Sequence, residues 1–284
     1  MQPPEQVSSH ATGPADDPAA YVGSIPEHYH RHAGPFLFDP YARELASRAA
    51  APAPERLLET ACGTGIATRR LRDALPEARL TATDLNEPML AVARRTVGPG
   101  AGVRFQRADM TRLPFPDADF DALVCQFGLM FVPDKPAAAR EARRVLRPGG
   151  RVLMATWRSL EHNPPIRLAH ETVCALFPQE PPTFYRTQTG FGAPEFMTEL
   201  LDGAGFEDIR TEVLSMRASA PGARQVALGL IEGFPVVDFI RARSPALVRV
   251  AVDQLTRALA ERFGDAPVEA TLQALVTTAA APAV

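Results

Sequence analysis

Short apolar runs alternate with amphipathic segments between residues 56 and 157, and this alternation predicts strands and helices in turn. The predicted strands are 56–61, 78–84, 103–107, 121–127 and 151–157, and the predicted helices between them are 65–74, 87–95 and 136–146. Strands joined through helices need right-handed crossovers, which build a mostly parallel sheet with helices on both faces. The pattern therefore predicts an α/β fold with a doubly wound sheet.

The segments on either side of this region follow other patterns. Asp39-Pro40 is typical of a helix start, and that helix is predicted to run to about residue 50, where a Pro-rich connector ends it. Beyond residue 157 the pattern predicts helices at 166–177 and 194–204, a strand at 208–218, helical pieces over 221–263 and a final strand at 268–277. These two additional strands bring the predicted sheet to seven.

The chain accordingly divides into five predicted parts. They are a disordered tail (1–20), an N-terminal helical lid (21–54), an α/β core that binds the ligand (55–219), a helical cap insert (220–264) and a final core strand with the C-terminus (265–284). The tail has few large apolar side chains to bury, so disorder is its most favourable state.

Composition restricts the class of partner. With 46% hydrophobic residues, 22% charged residues and a formal net charge of −3, the chain is typical of a soluble globular protein. A chain of this charge offers no basic field to attract a polyanion, so nucleic acid is not an expected partner. The longest mainly apolar stretch, residues 120–132, is too short to span a bilayer, so no membrane residence is expected.

The cysteines and histidines do not form a metal or redox motif. Cys62, Cys125 and Cys174 cannot all pair and lack the short spacing of such motifs, which predicts a reducing, cytoplasmic location. Alternate histidines between His28 and His32 are interpreted as a solvated cluster in a flexible segment. No metal site is therefore predicted.

Three predicted strands end in residues suited to a nucleoside. The first runs through a Gly63-Thr64-Gly65 turn into a helix, where backbone N–H groups are free to meet a ligand. Asp84 ends the second strand, 19 residues past Gly65, and Asp109-Met110 follow the third. Each has a simpler interpretation, as a tight turn, a helix cap or a loop aspartate. Their occurrence in order at three strand ends indicates a nucleoside site.

With these features the chain resembles the class I S-adenosylmethionine-dependent methyltransferases, in particular the small-molecule subgroup that includes the quinone-biosynthesis C-methyltransferases. The resemblance rests on the glycine turn within residues 57–68, on the Leu-Pro-Phe-Pro-Asp-Ala-Asp-Phe-Asp run at 113–121 and on Arg-Arg-Val-Leu-Arg-Pro-Gly-Gly at 143–150. It implies a Rossmann-like methyltransferase fold, S-adenosylmethionine as the cofactor and a small organic molecule as the methyl acceptor.

The resemblance also implies roles for individual residues. Glu59 is expected to address the amino acid end of the cofactor and Asp84 its ribose hydroxyls, while Asp109 and Met110 hold the adenine. Gln126, at the end of the fourth strand, is expected to face the sulfonium and its methyl group. The full expected cofactor-binding set is Tyr29, Glu59, Ala61, Gly63, Gly65, Asp84, Leu85, Met89, Asp109, Met110 and Gln126.

The glycine turn and the lid carry two departures from the family pattern. Gly63 and Gly65 are expected to let the backbone approach the cofactor, but the family's first glycine is Ala61 here, which favours a negative φ. Tyr29 resembles the tyrosine of a segment that closes over the cofactor. The family usually has an acidic residue after this tyrosine, and His30 stands there instead. The resemblance therefore does not define the contacts of the lid.

The acceptor side is expected beyond residue 157 and in the insert. On the helix 166–177, His170 lies on the apolar face and is interpreted either as a buried packing histidine or, with His162, as a catalytic acid–base group. The insert's apolar residues are expected to form core, to line an acceptor cavity or to make a homodimer contact; they are Leu228, Leu230, Ile231, Phe234, Val236, Val237, Phe239 and Ile240.

Two other classes of protein compete with a methyltransferase. A nicotinamide-dependent oxidoreductase also ends its second strand in a ribose-binding acid, but Thr68 stands where its Gly-x-Gly-x-x-Gly fingerprint needs the third glycine. A module that binds S-adenosylmethionine without methyl transfer would carry the same binding residues. Formation of S-adenosylhomocysteine that depends on an added acceptor separates the enzyme from the module.

Overall fold

One seven-stranded sheet organises residues 21–283, which are the residues that the computed structural model describes. Its strand order is β3-β2-β1-β4-β5-β7-β6. The strands are β1 (Arg56–Thr60), β2 (Arg79–Asp84), β3 (Val103–Arg107), β4 (Phe120–Gln126), β5 (Leu146–Trp157), β6 (Glu207–Ala220) and β7 (Val268–Ala280). The pairs among β1 to β5 are parallel, and β7 runs antiparallel to both of its neighbours, β5 and β6.

Helices connect the strands and cover the sheet. They are α1 (Ile25–His28), α2 (Asp39–Ala49), α3 (Ile66–Ala74), α4 (Glu87–Val97), α5 (Lys135–Val145), α6 (Pro164–Leu176), α7 (Phe184–Gln188), α8 (Pro194–Asp202), α9 (Ala223–Glu232), α10 (Val236–Arg243) and α11 (Pro245–Phe263). A π-helix, Tyr29–Phe38, joins α1 to α2. None of the helices in the described part of the chain is long and apolar enough to cross a membrane.

The two central strands are buried because helices cover both faces of the sheet. Leu57 and Leu58 of β1 are fully buried, as are Ala122 and Val124 of β4. Such continuous apolar runs are typical of parallel strands with helices on both sides. The chain order reverses between β1 and β4, and in open α/β sheets a ligand crevice lies outside the carboxyl ends of the strands at that point.

The N-terminal helical segment lies directly on α9. A Cβ atom on Gly229 would lie 2.7 Å from the backbone nitrogen of Ala33, and a Cβ on Gly233 would lie 3.1 Å from the Cα of Tyr29. Side chains at these two positions would therefore push the segment away. The two glycines let the π-helix approach α9 at backbone distance, which fixes Tyr29 over the end of the sheet.

The structure confirms the predicted doubly wound, mostly parallel seven-stranded fold and changes some boundaries. β5 begins at Leu146 rather than at residue 151, because Leu146 already pairs with Phe120 of β4. The breaks around Gly233 and at Ser244 separate α9, α10 and α11 as the sequence predicts. Helix α7 was not predicted. The predicted tail at 1–20 lies outside the described residues, and the division into lid, core and insert stays a prediction.

Candidate active site

A cavity of about 290 Å³ opens at the carboxyl ends of β1 to β4. One half lies beyond β2 and β3 and is lined by Asp84, Leu85, Met89, Asp109 and Met110. The other half lies beyond β4 and is lined by aromatic side chains from distant parts of the chain. We call these the nucleoside half and the aromatic half. Ala61 and Gly63, which follow the central strand β1, lie between them in sheet order.

Asp84 is the buried carboxylate of the nucleoside half. Its two oxygens each accept a hydrogen bond at 2.8 Å, from the backbone N–H of Gly63 and from that of Asn86. Burial nevertheless raises its pKa to about 6. Each carboxylate oxygen can accept more than one hydrogen bond, so this side chain both fixes the glycine turn and keeps acceptor capacity toward the cavity.

Glu59 lies in a second, smaller cavity of about 20 Å³ that borders Ala61, Tyr29 and Gln126, residues which also line the main cavity. The Glu59 carboxyl group is almost completely buried, and its Oε2 atom has no hydrogen-bond partner among the described residues. Burial raises its pKa to about 8. An unpaired acid in this position favours a cationic group as its partner, since an opposite charge would stabilise the ionised form.

The two glycines of the turn differ in what they contact. Gly63 lines the cavity at φ +56°, and a Cβ there would meet Met89 Cε at 3.6 Å and the Tyr29 hydroxyl at 3.9 Å. Gly65, at φ +80°, does not line either cavity, and a Cβ there would lie 3.0 Å from the Cα of Ala93 in α4. A side chain at Gly65 would therefore meet α4 first, and the expected approach of its backbone to the cofactor stays a prediction.

The backbone conformation of Ala61 differs from the expected one. Its φ is +52°, in the left-handed region, although an alanine favours negative φ. A Cβ on Gly128, in the turn after β4, would lie 2.2 Å from the Cβ of Ala61. The alanine therefore fits because residue 128 has no side chain. This role of Gly128 was not predicted, because only the structure shows that Gly128 faces Ala61.

The remaining predicted residues of the nucleoside half also reach the cavity. Leu85, Met89 and Met110 supply its apolar surface. Asp109 Oδ1 accepts hydrogen bonds at 2.8 Å from both the backbone N–H and the hydroxyl of Thr111, which holds the loop after β3 in place. A polar acceptor beside apolar side chains suits an adenine, which presents an amino group at its edge and flat apolar faces.

The N-terminal segment, which is the predicted lid, lines the cavity with Tyr21, Tyr29 and Phe38. The Tyr29 ring stacks on Phe38 at 4.8 Å between centroids and meets Phe234 edge to face at 5.7 Å. His30, the departure from the family pattern, lies with its Nδ1 atom 3.2 Å from the hydroxyl oxygen of Thr64 in the glycine turn. The histidine thus supplies a contact of its own between the lid and the turn.

Four phenylalanines, Phe38, Phe127, Phe131 and Phe234, line the aromatic half. They come from the lid, the turn after β4 and the connection between α9 and α10. Phe127 is held by a parallel stack on buried Trp157, with ring centroids 4.0 Å apart. Among the described residues that line the cavity there is no lysine, arginine or histidine.

Gln126 lies at the border with the smaller cavity. Its Nε2 atom donates to the backbone carbonyl of Phe38 at 3.0 Å, which fixes the orientation of the amide. The Oε1 atom is buried and has no partner among the described residues. This residue lines both cavities, and its role toward the reacting end of the cofactor stays a prediction.

The predicted catalytic histidines are not brought to the cavity. His170 is buried in α6, accepts a hydrogen bond from Arg186 Nε at 3.2 Å and contacts Cys174 Sγ, 3.5 Å from its Nδ1. Burial, aided by Arg186, lowers its pKa. His162 lies beside Ser159, 2.9 Å from its hydroxyl. Neither residue lines the cavity, so the geometry favours the packing interpretation of His170.

The insert contributes less to the cavity than expected. Of its apolar residues only Phe234 lines the main cavity, while Leu230, Val237 and Ile240 are buried in the core. The region after Trp157 likewise contributes a single residue, Gln188 of α7. Most of the insert therefore serves to hold the lid and Phe234 in place.

Comparison with known proteins assigns the family. Residues 58–154 match the family described as "Methyltransferase domain". The demethylmenaquinone methyltransferase of Thermus thermophilus is 35% identical over 196 residues, which cover 63% of this chain and 86% of that protein. The chain belongs to the class I S-adenosylmethionine-dependent methyltransferases. The match to the demethylmenaquinone methyltransferase of Deinococcus radiodurans, 37% identical over 126 residues, spans 44% of this methyltransferase and about half of that relative.

Solved structures of other methyltransferases share the fold. Phosphoethanolamine N-methyltransferase 2 of Haemonchus contortus, solved with S-adenosyl-L-methionine, superposes with a TM-score of 0.60 at 19% identity over 96% of this methyltransferase and 60% of that chain. A methyltransferase of Bacillus halodurans has a TM-score of 0.55 at 20% identity over 85% of this chain and 98% of its own. These likenesses are of fold alone.

The residues of the cavity fit S-adenosylmethionine, the cofactor of the family. The nucleoside half offers a buried carboxylate to a ribose and an apolar surface to an adenine, and the unpaired Glu59 Oε2 suits the ammonium group of an amino acid. The enzyme is thus a methyltransferase that uses S-adenosylmethionine and acts on a small molecule.

Proposed function

We propose that this methyltransferase methylates a neutral, flat, largely apolar small molecule that carries an aromatic ring. The observation that carries the proposal is the aromatic half, where four phenylalanines surround the space beyond Gln126. Aromatic walls favour a flat ring through offset stacking and edge contacts. An anionic acceptor would lack a counter-charge, because the described lining includes no cationic side chain.

The names of similar proteins support this choice. Several relatives are named demethylmenaquinone methyltransferases, so their named acceptor is a quinone. The Haemonchus enzyme is named for phosphoethanolamine, whose phosphate would need cationic partners that the described lining here does not offer. The acceptor of this chain is therefore closer in character to the first group.

The chain's own residues position the reactants rather than take part in covalent chemistry. Bound S-adenosylmethionine supplies a methyl group on a positively charged sulfur. Asp84 holds its ribose and Glu59 its amino acid end, and Gln126, fixed by the Phe38 carbonyl, lies between these residues and the aromatic half. The phenylalanines exclude water and orient the acceptor ring. Such alignment can contribute up to ~7–11 kcal/mol to the lowering of the barrier.

The test is a panel of acceptors of similar size and different charge. Full-length protein with S-adenosylmethionine should form S-adenosylhomocysteine with a neutral naphthalenediol and not with naphthyl phosphate or naphthoate. Faster turnover of the anionic compounds would contradict the proposal. A chain that binds S-adenosylhomocysteine but forms none with any member would support a binding module instead. A cytoplasmic location and a homodimer stay predictions, as does the absence of nucleic acid and membrane partners.

A further inference from the structure

Two polar side chains on the acceptor side of the cavity have no role in the proposed function, and Asp134 already caps α5 by accepting from the Ala137 N–H, which leaves Gln188. Gln188, the last residue of α7, lines the cavity and is 1% exposed. Its Oε1 atom is buried and has no hydrogen-bond partner among the described residues. Leaving a buried acceptor unpaired costs about 1–3 kcal/mol, so an unpaired amide at the wall of a ligand cavity indicates a missing partner.

Helix α7 is held firmly enough to place this amide. The hydroxyl of Tyr185 donates a hydrogen bond at 2.6 Å to the backbone carbonyl of Leu230 in α9. Phe184 stacks on Phe131, with ring centroids 5.8 Å apart, and also contacts Phe234 at 5.4 Å. Gln188 follows Phe184 by four residues and lies on the same helix face. It is therefore directed to the space that Phe131 and Phe234 line.

This space is separate from the residues that would hold the cofactor. The nucleoside half follows β2 and β3, whereas Phe131 follows β4 on the other side of β1 in the sheet order. Gln188 lines only the larger cavity and not the smaller one around Glu59. A partner for its Oε1 is therefore expected on the acceptor side of the cavity.

We propose that Gln188 is a specificity-determining residue that accepts a hydrogen bond from a hydroxyl or N–H group on the ring of the acceptor. This inference rests on the proposed function and narrows it to donor-bearing aromatic acceptors. A ring with only apolar substituents leaves Oε1 unpaired, and a ring that lacks any hydrogen-bonding group gains nothing from the amide. Such rings are bound less tightly than a ring with a donor.

Two probes of almost the same shape test this inference. 2-Naphthol carries a hydroxyl where 2-methylnaphthalene carries a methyl group. Full-length protein saturated with S-adenosylhomocysteine is titrated with each probe, followed by naphthalene fluorescence, and the ratio of the two dissociation constants is compared among variants. Gln188→Met removes the amide and keeps most of the volume. It should reduce the preference for 2-naphthol by about two- to tenfold, the range expected for one neutral hydrogen bond.

Gln106→Met is the matched control. The Oε1 atom of Gln106, on β3, is also buried and unpaired, but this residue lines neither cavity. The control should therefore leave the probe ratio unchanged. Thermal unfolding separates recognition from structure, because removal of an unpaired buried amide should leave the Tm of Gln188→Met equal or higher, whereas a structural glutamine would be needed for stability.

The outcomes distinguish this inference from the proposed function. The affinity of the wild type and of each variant for S-adenosylhomocysteine is measured first. A wild-type protein that does not bind S-adenosylhomocysteine would contradict the cofactor site itself. With cofactor binding intact, a probe ratio that is the same in wild type and Gln188→Met would overturn the role of Gln188, whereas a wild type that binds neither probe would contradict the proposed aromatic acceptor. A lower Tm with an unchanged ratio would assign the residue to structure.

Discussion

The nucleoside half and the aromatic half of the cavity are built in different ways. The first comes from residues at the ends of β1 to β3, close together in the chain, and its polar groups are held by backbone hydrogen bonds such as those to Asp84. The second gathers side chains from the lid, the turn after β4, α7 and the connection before α10. Its order comes from ring packing, as between Phe127 and Trp157.

The difference shows how one fold can bind a constant cofactor and a variable acceptor. A cofactor that is the same in every member can be held by a short stretch of strands and turns. An acceptor that varies is met by segments outside that stretch, whose sequence can change without disturbing the sheet. The predictions below test whether the two halves can be altered separately.

The largest effect should come from Asp84. In Asp84→Ala the cofactor loses its ribose acceptor, and hydrogen bonds to a charged group are worth ~1.5–3 kcal/mol each, so affinity for S-adenosylhomocysteine should fall by about a hundredfold or more. Isothermal titration calorimetry measures this. Asp73→Ala, which removes an exposed carboxylate from α3, is the control for charge. Unchanged affinity in a folded Asp84→Ala protein would show that this carboxylate does not bind the cofactor.

The residues of the nucleoside half could largely be predicted from the sequence, because they lie at fixed offsets from predicted strand ends. Asp84 ends β2 and Asp109 follows β3, as the strand pattern predicts, whereas Gln126 at the end of β4 was expected from the family resemblance; all three line the cavity. The aromatic half could not be predicted in this way. Phe234 and Gln188 reach the cavity only through the packing of helices that are distant in sequence, and no periodicity marks them.

The glycine turn was predicted in position, but its packing could not be predicted from the sequence. The sequence shows which residues have no side chain, but not which neighbour occupies the vacant space. At Gly65 that neighbour is Ala93 of α4, and at Gly128 it is the methyl group of Ala61. His170 shows the same limit, since the helical pattern identified an inward-facing side chain without showing that it faces Arg186 rather than the cavity.

The second prediction separates the two glycines. Gly65→Ala combines a positive φ with a backbone contact at 3.0 Å and should lower the free energy of unfolding by about 1–3 kcal/mol. Affinity for S-adenosylhomocysteine should be nearly unchanged while the protein remains folded. Gly63→Ala shares the strain of a positive φ but has no contact closer than 3.6 Å, so it should destabilise less and weaken cofactor binding more, because its methyl group would enter the cavity. Chemical denaturation and calorimetry on both variants check this, and identical behaviour of the two would contradict the assignment.

The third prediction concerns pH and Glu59, whose pKa burial raises to about 8. The free protein holds this group mostly protonated at neutral pH, and a cationic amino group placed beside it lowers its pKa. Cofactor binding should therefore release a proton at pH 7. Affinity should rise by about fiftyfold as the pH increases from 6 to 8, since the ionised fraction of a group with a pKa of about 8 rises from about 1% to about 50% over this range.

Glu59→Gln tests the source of this effect. The variant cannot ionise, so proton release should vanish when binding heats are compared in buffers of different ionisation enthalpy. The same pKa shift makes the stability of the cofactor-free protein highest below the usual carboxyl pKa of 4.5 and lower as the pH rises through about 8. The variant should lose that slope. A wild-type level of proton release in Glu59→Gln would show that another group titrates.

The smallest effect should come from His170. Its ring is held by Arg186 outside the cavity, so His170→Gln should change kcat by less than about twofold and the free energy of unfolding by about 1 kcal/mol. A positioned acid–base group would instead contribute roughly 10²–10⁴-fold. Turnover with the best acceptor of the panel, compared with thermal unfolding, decides between these roles. A hundredfold loss of kcat at unchanged stability would show that His170 takes part in catalysis.

The most direct test of the two-halves account is a crystal structure of the full-length protein with S-adenosylhomocysteine. The account predicts ribose hydroxyls on Asp84, the adenine between Asp109 and Met110, and the amino group on Glu59, with the aromatic half left open beyond Gln126. A nucleoside that lies among Phe131, Phe234 and Gln188, or an amino group that does not approach Glu59, would contradict it.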